Sequence, residues 1–170
     1  MNDTTTDAVR AEHDGPVTTL WLNRAARGNA LGAELVEALE SALDTALGAG
    51  ARLIILRGEG RHFCTGFDLS DLDTATEGDL ALRVLRIELL LQRLHALPVT
   101  TLAVAQGRVM GAGADLFAVC DHRLALEGSN FAFPGPAFGL VLGTGRLAGL
   151  VGEGVARRLL LAGTPVPAEE

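Results

Sequence analysis

Two glycine-bearing loops carry the residues of this sequence that could bind a ligand or do chemistry. One covers 58–69 and contains Gly66 and Asp68, and the other covers 107–115 and ends at Asp115. Each loop follows a short apolar run typical of a buried strand, and open α/β sheets bind ligands at the carboxyl ends of their strands. We therefore expect a binding site where the loops meet. The alternative interpretation is that these glycines only form tight turns.

The elements that position the loops follow from hydrophobic periodicity. Apolar and polar residues alternate over 18–23, which predicts a half-buried strand. From 31 to 47 leucines recur every four residues, which predicts an amphipathic helix. Continuous apolar runs at 53–56 and 101–105 predict strands covered on both faces. The amphipathic stretch 80–97 between them predicts a long helix.

The second half of the sequence continues the same alternation. It predicts a short buried helix at 114–120, short strands at 123–126 and 130–133, and a helix between 146 and 161. Strands that alternate with helices favour an α/β fold with right-handed crossovers. We expect one domain over 1–170.

Composition and charge exclude several classes of protein. The 170 residues include 48% hydrophobic residues and carry a net charge of −7. Without a basic stripe the chain is not expected to bind nucleic acid. Charged residues interrupt 80–97, its most apolar stretch, so no membrane span is expected. The polar first ten residues and the separated Cys64 and Cys120 predict a reduced, cytoplasmic protein.

Five short motifs, in order along nearly the whole chain, resemble successive motifs of the crotonase (enoyl-CoA hydratase/isomerase) superfamily. They are Leu22-Asn23-Arg24, Asn29-Ala30-Leu31, the segment 63–69 (Phe-Cys-Thr-Gly-Phe-Asp-Leu), the segment 107–115 and Cys120-Asp121. Any single motif is weak, but five in register are specific. The resemblance covers about 18 to 169.

The resemblance implies a crotonase-like (ClpP/crotonase) fold of repeated ββα units that binds an acyl-CoA thioester and stabilises its enolate. Two backbone N–H groups of the family form an oxyanion hole, and by position they are those of Phe67 and Ala112. Glycines permit close backbone approach, and Ala112 is expected at a helix N-terminus. The implied substrate-binding residues are Arg24, Ala26, Gly66, Phe67, Asp68, Leu69, Gly111 and Ala112.

Arg24 and Ala26 lie where the family contacts the CoA nucleotide, and an arginine suits a phosphate. Coenzyme A is then part of the substrate, and no separate cofactor is expected. For Asp68 we favour a structural role, in which its side chain caps the turn behind Phe67.

The resemblance also assigns acid–base chemistry. The first of two glutamates in the hydratases falls on Asp115, which becomes the expected base; the alternative is a first-turn carboxylate that only caps its helix. The second glutamate falls on Gly135, which cannot transfer a proton. A two-acid hydration is therefore less expected than isomerisation, decarboxylation or thioester hydrolysis, although the family implies a lyase or an isomerase.

Other possibilities stay open at this stage. The chain could be a non-catalytic acyl-CoA-binding or assembly subunit, or an α/β domain without a ligand. His62 either reaches substrate or is an exposed loop residue. No metal site is expected, and dinucleotide, phosphate-loop and serine-hydrolase motifs are incomplete. The sequence ends where the family's C-terminal helices would begin, and we expect a homo-oligomer based on trimers.

Overall fold

A five-stranded sheet lies at the centre of the fold. The structure is a computed structural model that describes residues 8–140 and 143–169. The strands lie in the order β1 (Val9–Asp14), β2 (Val17–Leu22), β3 (Leu53–Gly58), β4 (Thr100–Ala105) and β6 (His122–Ala125). β1 is antiparallel to β2, and the other neighbours are parallel. The apolar runs at 53–56 and 101–105, typical of a parallel sheet covered on both faces, are confirmed as the neighbouring parallel strands β3 and β4.

A second, three-stranded sheet begins with β5, the strand that follows β4 in the sequence. It contains β5 (Arg108–Met110), β7 (Asn130–Ala132) and β8 (Val166–Pro167), with β5 parallel to β7 and β8 antiparallel to it. The segment after β3 joins this sheet through an isolated bridge between Cys64 and Val109. The loop after β3 is thereby connected to the loop after β4.

Five helices complete the described structure. They are α1 (Ala33–Gly48), α2 (Glu77–His95), α3 (Ala112–Ala118), α4 (Thr144–Val151) and α5 (Glu153–Ala162). Pairs of strands followed by a helix recur as β1-β2-α1, β4-β5-α3 and β6-β7-α4. In the remaining unit an extended segment around 64–67 takes the place of a second strand between β3 and α2. The α/β class and the repeated ββα units are both confirmed.

Leucines at helical spacing explain why α1 packs on the sheet. Leu35, Leu39 and Leu43 are fully buried, and they join one hydrophobic cluster with Leu20 and Ile54 from the strands. Burial of each such side chain contributes roughly 1.5–3 kcal/mol. This cluster supports the positions of the loops at the ends of β3 and β4. A single domain over 1–170 stays a prediction.

Helix α2 begins earlier than its apolar periodicity indicates. The Thr76 hydroxyl accepts from Asp79 N, and the Asp79 carboxylate accepts from Thr76 N, which is a capping box. Such a box satisfies two N–H groups that the helix leaves free. The polar residues Glu77 and Asp79 therefore belong to the first turn of the helix and not to a loop.

Four further features differ from the prediction. Residues 108–110, expected within a loop, form the strand β5. The strand β1 was not predicted, because it is a sheet edge with only Val9 buried and therefore lacks the alternating pattern. The two-residue β8 is too short to leave a pattern. The final helix is divided at Gly152, whose φ of 81° and ψ of 155° are not helical. Among the described helices, none has the length and apolar character needed to cross a bilayer.

We predict that Leu39→Ala lowers the free energy of unfolding by about 2–5 kcal/mol, because it leaves a cavity in the fully buried face of α1. Urea denaturation followed by circular dichroism measures this change. The matched control is Leu82→Ala on α2, where 48% of the leucine is exposed. The control should change stability by no more than about 0.5 kcal/mol. Equal losses in both variants would contradict the assigned core.

Candidate active site

The first predicted N–H donor, Phe67, lies in an extended segment that pairs with Leu31. Leu31 N donates to Gly66 O at 2.7 Å, and Asp68 N donates to Leu31 O at 3.2 Å. Successive N–H groups of an extended chain point to opposite sides. The N–H of Phe67 therefore points away from Leu31, and it has no acceptor among the described residues.

The second predicted donor, Ala112, is the first residue of α3. Gly111 turns the chain with φ of 52° and ψ of −125°, and its N–H donates to Ala132 O at 2.8 Å. The first N–H groups of a helix have no partner inside the helix. The N–H of Ala112 likewise has no acceptor in the described part of the chain.

The two loops are in direct contact at Gly66. A Cβ placed on this glycine would lie 2.7 Å from Met110 O and 3.6 Å from Ala112 N. With φ of 95°, Gly66 also has a backbone conformation that favours glycine. The close approach therefore requires glycine, and it brings Phe67 and Ala112 to the wall of one cavity. Gly66 therefore does more than form a turn, because it allows the two loops to pack against each other.

The short motif Asn29-Ala30-Leu31 supports the first loop. The buried Asn29 side chain donates to Glu59 O at 3.0 Å and to His62 O at 2.8 Å. Its Oδ1 accepts from Arg24 N at 2.9 Å. Asn29 thus fixes the loop that follows β3, while Leu31 fixes the segment of Phe67.

Asp68 and Arg24 form an ion pair outside the cavity. Arg24 Nη1 lies 2.9 Å from Asp68 Oδ2, and Ser70 N donates to Asp68 Oδ1 at 3.1 Å. Burial alone would raise the pKa of Asp68, but the hydrogen bonds from Ser70 and the pairing with Arg24 outweigh it and lower the pKa. The structural role favoured for Asp68 therefore agrees with the geometry.

The other predicted substrate-binding residues fall into two groups. Gly66, Leu69 and Gly111 line the cavity with the two donors. Arg24 is outside it, with its guanidinium directed to Asp68, and Ala26 is exposed in a short 3-10 turn. A contact of Arg24 and Ala26 with a CoA nucleotide stays a prediction.

The cavity has a volume of about 800 Å³ and a predominantly apolar lining. Helix α2 contributes one wall, and the segment after β7 contributes another. Its apolar residues are Phe67, Leu69, Leu72, Leu80, Ala81, Val84, Leu85, Ala112, Phe133, Pro134, Pro136, Phe138, Leu140 and Leu160. Such a surface suits an acyl chain better than a polar ligand.

Asp115 lies in this cavity one turn into α3. It is only 6% exposed, and its carboxyl group makes no hydrogen bond to the described residues. Desolvation raises the pKa of Asp115 to about 7; Arg146 opposes this shift and Glu88 adds to it. Because the side chain caps no N–H group, the interpretation as a simple helix cap is not supported. A carboxyl group with a pKa near neutrality suits proton transfer.

Gly143 limits the space beside Asp115. A Cβ on Gly143 would lie 2.3 Å from Asp115 Oδ1, and the glycine has φ of 65° at the start of α4. Every other residue type would therefore displace the carboxyl group. This glycine therefore packs directly against the site.

The sequence analysis missed a second ionic group of the cavity. Glu88 on α2 lines it, and Arg146 on α4 binds Glu88 through two parallel hydrogen bonds, with Nη1 to Oε1 at 2.9 Å and Nη2 to Oε2 at 2.7 Å. The hydrogen bond from Arg146 is the main cause that lowers the pKa of Glu88. A signal was present, since Glu88 follows the cavity residues Leu80 and Val84 at four-residue spacing.

Gly135 also lines the cavity, where the family resemblance places a second acid. A Cβ on this residue would lie 2.5 Å from Leu140 O. The backbone therefore occupies the space that a side chain would need. The absence of an acid here is built into the local packing.

His62 and the two cysteines have structural surroundings. His62 Nδ1 accepts from Arg108 N at 3.1 Å, so it connects the two loops, and desolvation followed by the charges of Arg61 and Arg108 lowers its pKa. It lies outside the cavity. Burial raises the pKa of both Cys64 and Cys120 to about 12, which leaves both thiols unreactive. The described residues contain no cluster of three or more potential metal ligands.

Comparison with known proteins agrees with this fold and identifies the family. A family model described as enoyl-CoA hydratase/isomerase matches residues 12–170. The Mycobacterium bovis "Probable enoyl-CoA hydratase echA6" is 36% identical over 156 residues, which cover 90% of this chain and 62% of that protein. The ethylmalonyl-CoA decarboxylase of Xenopus tropicalis is 32% identical over 152 residues, which cover 86% of this chain and 51% of that protein.

A solved structure shows the same fold. The crystal structure of a Bordetella parapertussis protein, named for the enoyl-CoA hydratase/isomerase family, superposes with a TM-score of 0.92 and 44% identity. The match covers 95% of this chain and 67% of that one. The fold is thus that of the crotonases, and the chain belongs to the enoyl-CoA hydratase/isomerase family. It spans between 51% and 66% of the length of the curated relatives it matches.

We predict that Asp115→Asn stabilises the protein at alkaline pH. The pKa of Asp115 in the folded state, about 7, exceeds the ordinary value of 3.8 expected when unfolded. The folded carboxyl therefore binds its proton more tightly, and wild-type stability falls as pH rises between these values. The variant lacks this loss, so its advantage should grow from near zero below about pH 4 to at most about 4 kcal/mol at about pH 8.

Urea denaturation across this pH range measures the difference. The matched control is Asp44→Asn, which removes a carboxylate whose side chain is 71% exposed on α1. Its difference from wild type should stay within about 0.5 kcal/mol at all pH values. A flat difference for Asp115→Asn would show that its carboxyl is not desolvated.

Proposed function

We propose that this protein is an enzyme that acts on an acyl-CoA thioester through an enolate held in an oxyanion hole. The observation that carries the proposal is that the N–H groups of Phe67 and Ala112, which have no acceptor among the described residues, lie on one apolar cavity with Asp115. Their arrangement suits a thioester oxygen that gains negative charge. The family model and the acyl-CoA enzymes among its relatives support the substrate class.

The proposed oxyanion hole acts by preorganised hydrogen bonds. Both N–H groups are fixed by pairing elsewhere in their loops, so little reorganisation is needed when charge develops. In an apolar cavity such donors are effective, and one of them typically contributes about 3 kcal/mol to the transition state. The thioester carbonyl would lie between Phe67 and Ala112.

Asp115 is the proposed base. Its pKa of about 7 leaves a large ionised fraction at neutral pH together with enough basicity to remove a proton from the α carbon. The negative charge passes from the carboxylate to the enolate oxygen. Neighbouring Arg146 opposes the rise in the pKa of Asp115, and thereby helps to keep an ionised fraction available.

The acyl chain would occupy the apolar cavity, and the nucleotide part of coenzyme A would lie towards Arg24 and Ala26. Nη1 of the Arg24 guanidinium already pairs with Asp68. A phosphate would therefore have to bind the remaining N–H donors of Arg24. Coenzyme A enters as part of the substrate, and the proposed chemistry uses no other cofactor.

The exact reaction is a choice within lyases and isomerases. Relatives are named as hydratases and as a decarboxylase. A non-catalytic acyl-CoA-binding subunit is the alternative, favoured by the closed space at Gly135. Binding of an acyl-CoA without any proton exchange would establish that alternative.

We also propose a homo-oligomer, based on trimers, in the cytoplasm. Large apolar side chains are exposed at Leu124, Leu126, Phe138 and Leu161, and soluble proteins commonly cover such surface by association. Two free, buried cysteines are compatible with a reducing compartment.

We predict that Ala112→Pro lowers turnover of an acyl-CoA by about 10²–10³-fold, because it removes one oxyanion donor. Proline is favoured at the first position of a helix, so the fold should remain. The matched control is Ala33→Pro, which places proline at the first position of α1, again after a glycine. Full activity in Ala112→Pro, with the fold intact by circular dichroism, would refute this donor.

A second prediction concerns the base. In D₂O the wild type should exchange the α protons of a saturated medium-chain acyl-CoA, and Asp115→Asn should lower the rate by about 10²–10⁴-fold. The exchange rate should rise with pH through about 7, because the ionised carboxylate is required. Mass spectrometry measures the exchange, and Asp44→Asn is the control. Equal exchange by Asp115→Asn and wild type would exclude Asp115 as the base.

A further inference from the structure

The cavity holds a second carboxylate besides Asp115. Glu88 enters it from α2, and its side chain is 22% exposed. Glu88 lies on α2, whereas the second acid of the hydratases corresponds to position 135, which is glycine in this chain. Since Gly135 has no room for a side chain, Glu88 is the only other carboxylate that lines this cavity among the described residues.

Glu88 is fixed in orientation. Arg146 binds both carboxylate oxygens in a parallel arrangement, and Gln92 Nε2 donates to Oε1 at 3.0 Å. A carboxylate oxygen has two lone-pair positions, so Oε2 keeps one position free for another donor. Bidentate pairing with arginine fixes a carboxylate geometrically. A water molecule at Oε2 would therefore be held in a defined place.

The surroundings of the two carboxyl groups move their pKa values in opposite directions. Asp115 has no hydrogen-bond partner in the part of the chain that the structure describes and is desolvated, which raises its pKa to about 7, while Arg146 lowers the pKa of Glu88. The charged groups that act on Asp115 are Arg146 from α4 and Glu88 from α2. Pairs of titratable groups whose surroundings separate their pKa values are typical of an acid and a base that work together.

We propose that Glu88 is the second catalytic carboxylate of this site and activates the water that adds to an α,β-unsaturated acyl-CoA, while Asp115 protonates the α carbon. This proposal rests on the proposed function. It restores two-acid hydration by a residue of α2, in place of the acid missing at Gly135.

The proposed step balances as follows. Glu88 takes one proton from water, and the water oxygen forms a bond to the β carbon. The electron pair of the double bond moves towards the thioester, whose oxygen becomes the enolate oxygen held by Phe67 and Ala112. The enolate then collapses as the α carbon takes the proton of Asp115. Glu88 ends protonated and Asp115 ionised, and proton exchange with solvent restores both.

Asp115 has consistent roles in the two reactions. In α-proton exchange of a saturated ester it removes a proton as a base, and in hydration it delivers one as an acid. Glu88 is needed only for hydration, because exchange involves no water at the β carbon. This difference separates a catalytic role of Glu88 from a purely structural one, in which the ion pair with Arg146 only joins α2 to α4.

The experiment compares two rates in the same variants. One is hydration of a medium-chain 2-enoyl-CoA, followed by loss of its conjugated absorbance, and the other is α-proton exchange of the saturated ester in D₂O. Glu88→Gln should lower hydration by about 10²–10⁴-fold. Exchange is compared in the charge-preserving Glu88→Asp, because loss of the Glu88 charge would itself lower the pKa of Asp115. The matched control is Glu37→Gln, which breaks the Glu37–Arg86 pair between α1 and α2 outside the cavity.

Glu88→Asp is a second test variant for the case that Glu88→Gln does not fold. It keeps the charge and moves the carboxylate back by one methylene. It should retain the folded state and exchange, and lower hydration by at least about tenfold. Parallel loss of hydration and exchange in Glu88→Asp, with the fold intact, would overturn the catalytic role. A hydration rate equal to that of the wild type in either folded Glu88 variant would also overturn the catalytic role of Glu88.

The outcomes for wild type separate the two proposals. Exchange without any hydration would overturn the role of Glu88 and leave enolate formation standing. Neither exchange nor hydration would overturn the proposed function, and the assignment of Glu88 with it. Hydration that depends on Glu88, with exchange preserved, would support both.

Discussion

The site depends on the backbone pairing of Leu31 with the segment of Phe67. By accepting from Asp68 N and donating to Gly66 O, Leu31 uses the polar groups on one side of this segment and leaves the Phe67 N–H on the other. An unpaired N–H at a protein interior normally carries an energetic cost. Here the surrounding β pairing, and the support that Asn29 gives to the loop, stabilise a local arrangement that would not persist alone.

A similar tension surrounds Asp115. Its desolvation opposes folding at neutral pH, while the same desolvation gives the carboxyl group a pKa useful for proton transfer. The buried leucines of α1 and the inward faces of β2 and β3 supply the stability that offsets this loss. Functional sites commonly retain such locally unfavourable groups. Arg146 reduces the free-energy cost of ionising the buried Asp115, and Glu88 increases it.

Much of this could be predicted from the sequence, for identifiable reasons. The periodicity of α1 and the apolar runs of β3 and β4 follow from burial, and the loop glycines follow from close backbone contacts. Local patterns were weak where an element lies at an edge, as in β1, or ends by backbone geometry, as at Gly152. Glu88 was missed because a polar residue within a helix is usually solvent-exposed. Its spacing from Leu80 and Val84 was a weak local signal, and its pairing with Arg146, 58 positions away, is not visible in the sequence.

The carbonyl of Leu140 beside Gly135 has a consequence for protein engineering. A glutamate introduced at 135 would meet this backbone oxygen, since even a Cβ would lie 2.5 Å from it. The loop carrying Leu140 would have to shift before an acid there became tolerable. A glutamate at 135 therefore requires a second change in the segment of Leu140, and substitution of Gly135 alone would not place an acid in the cavity.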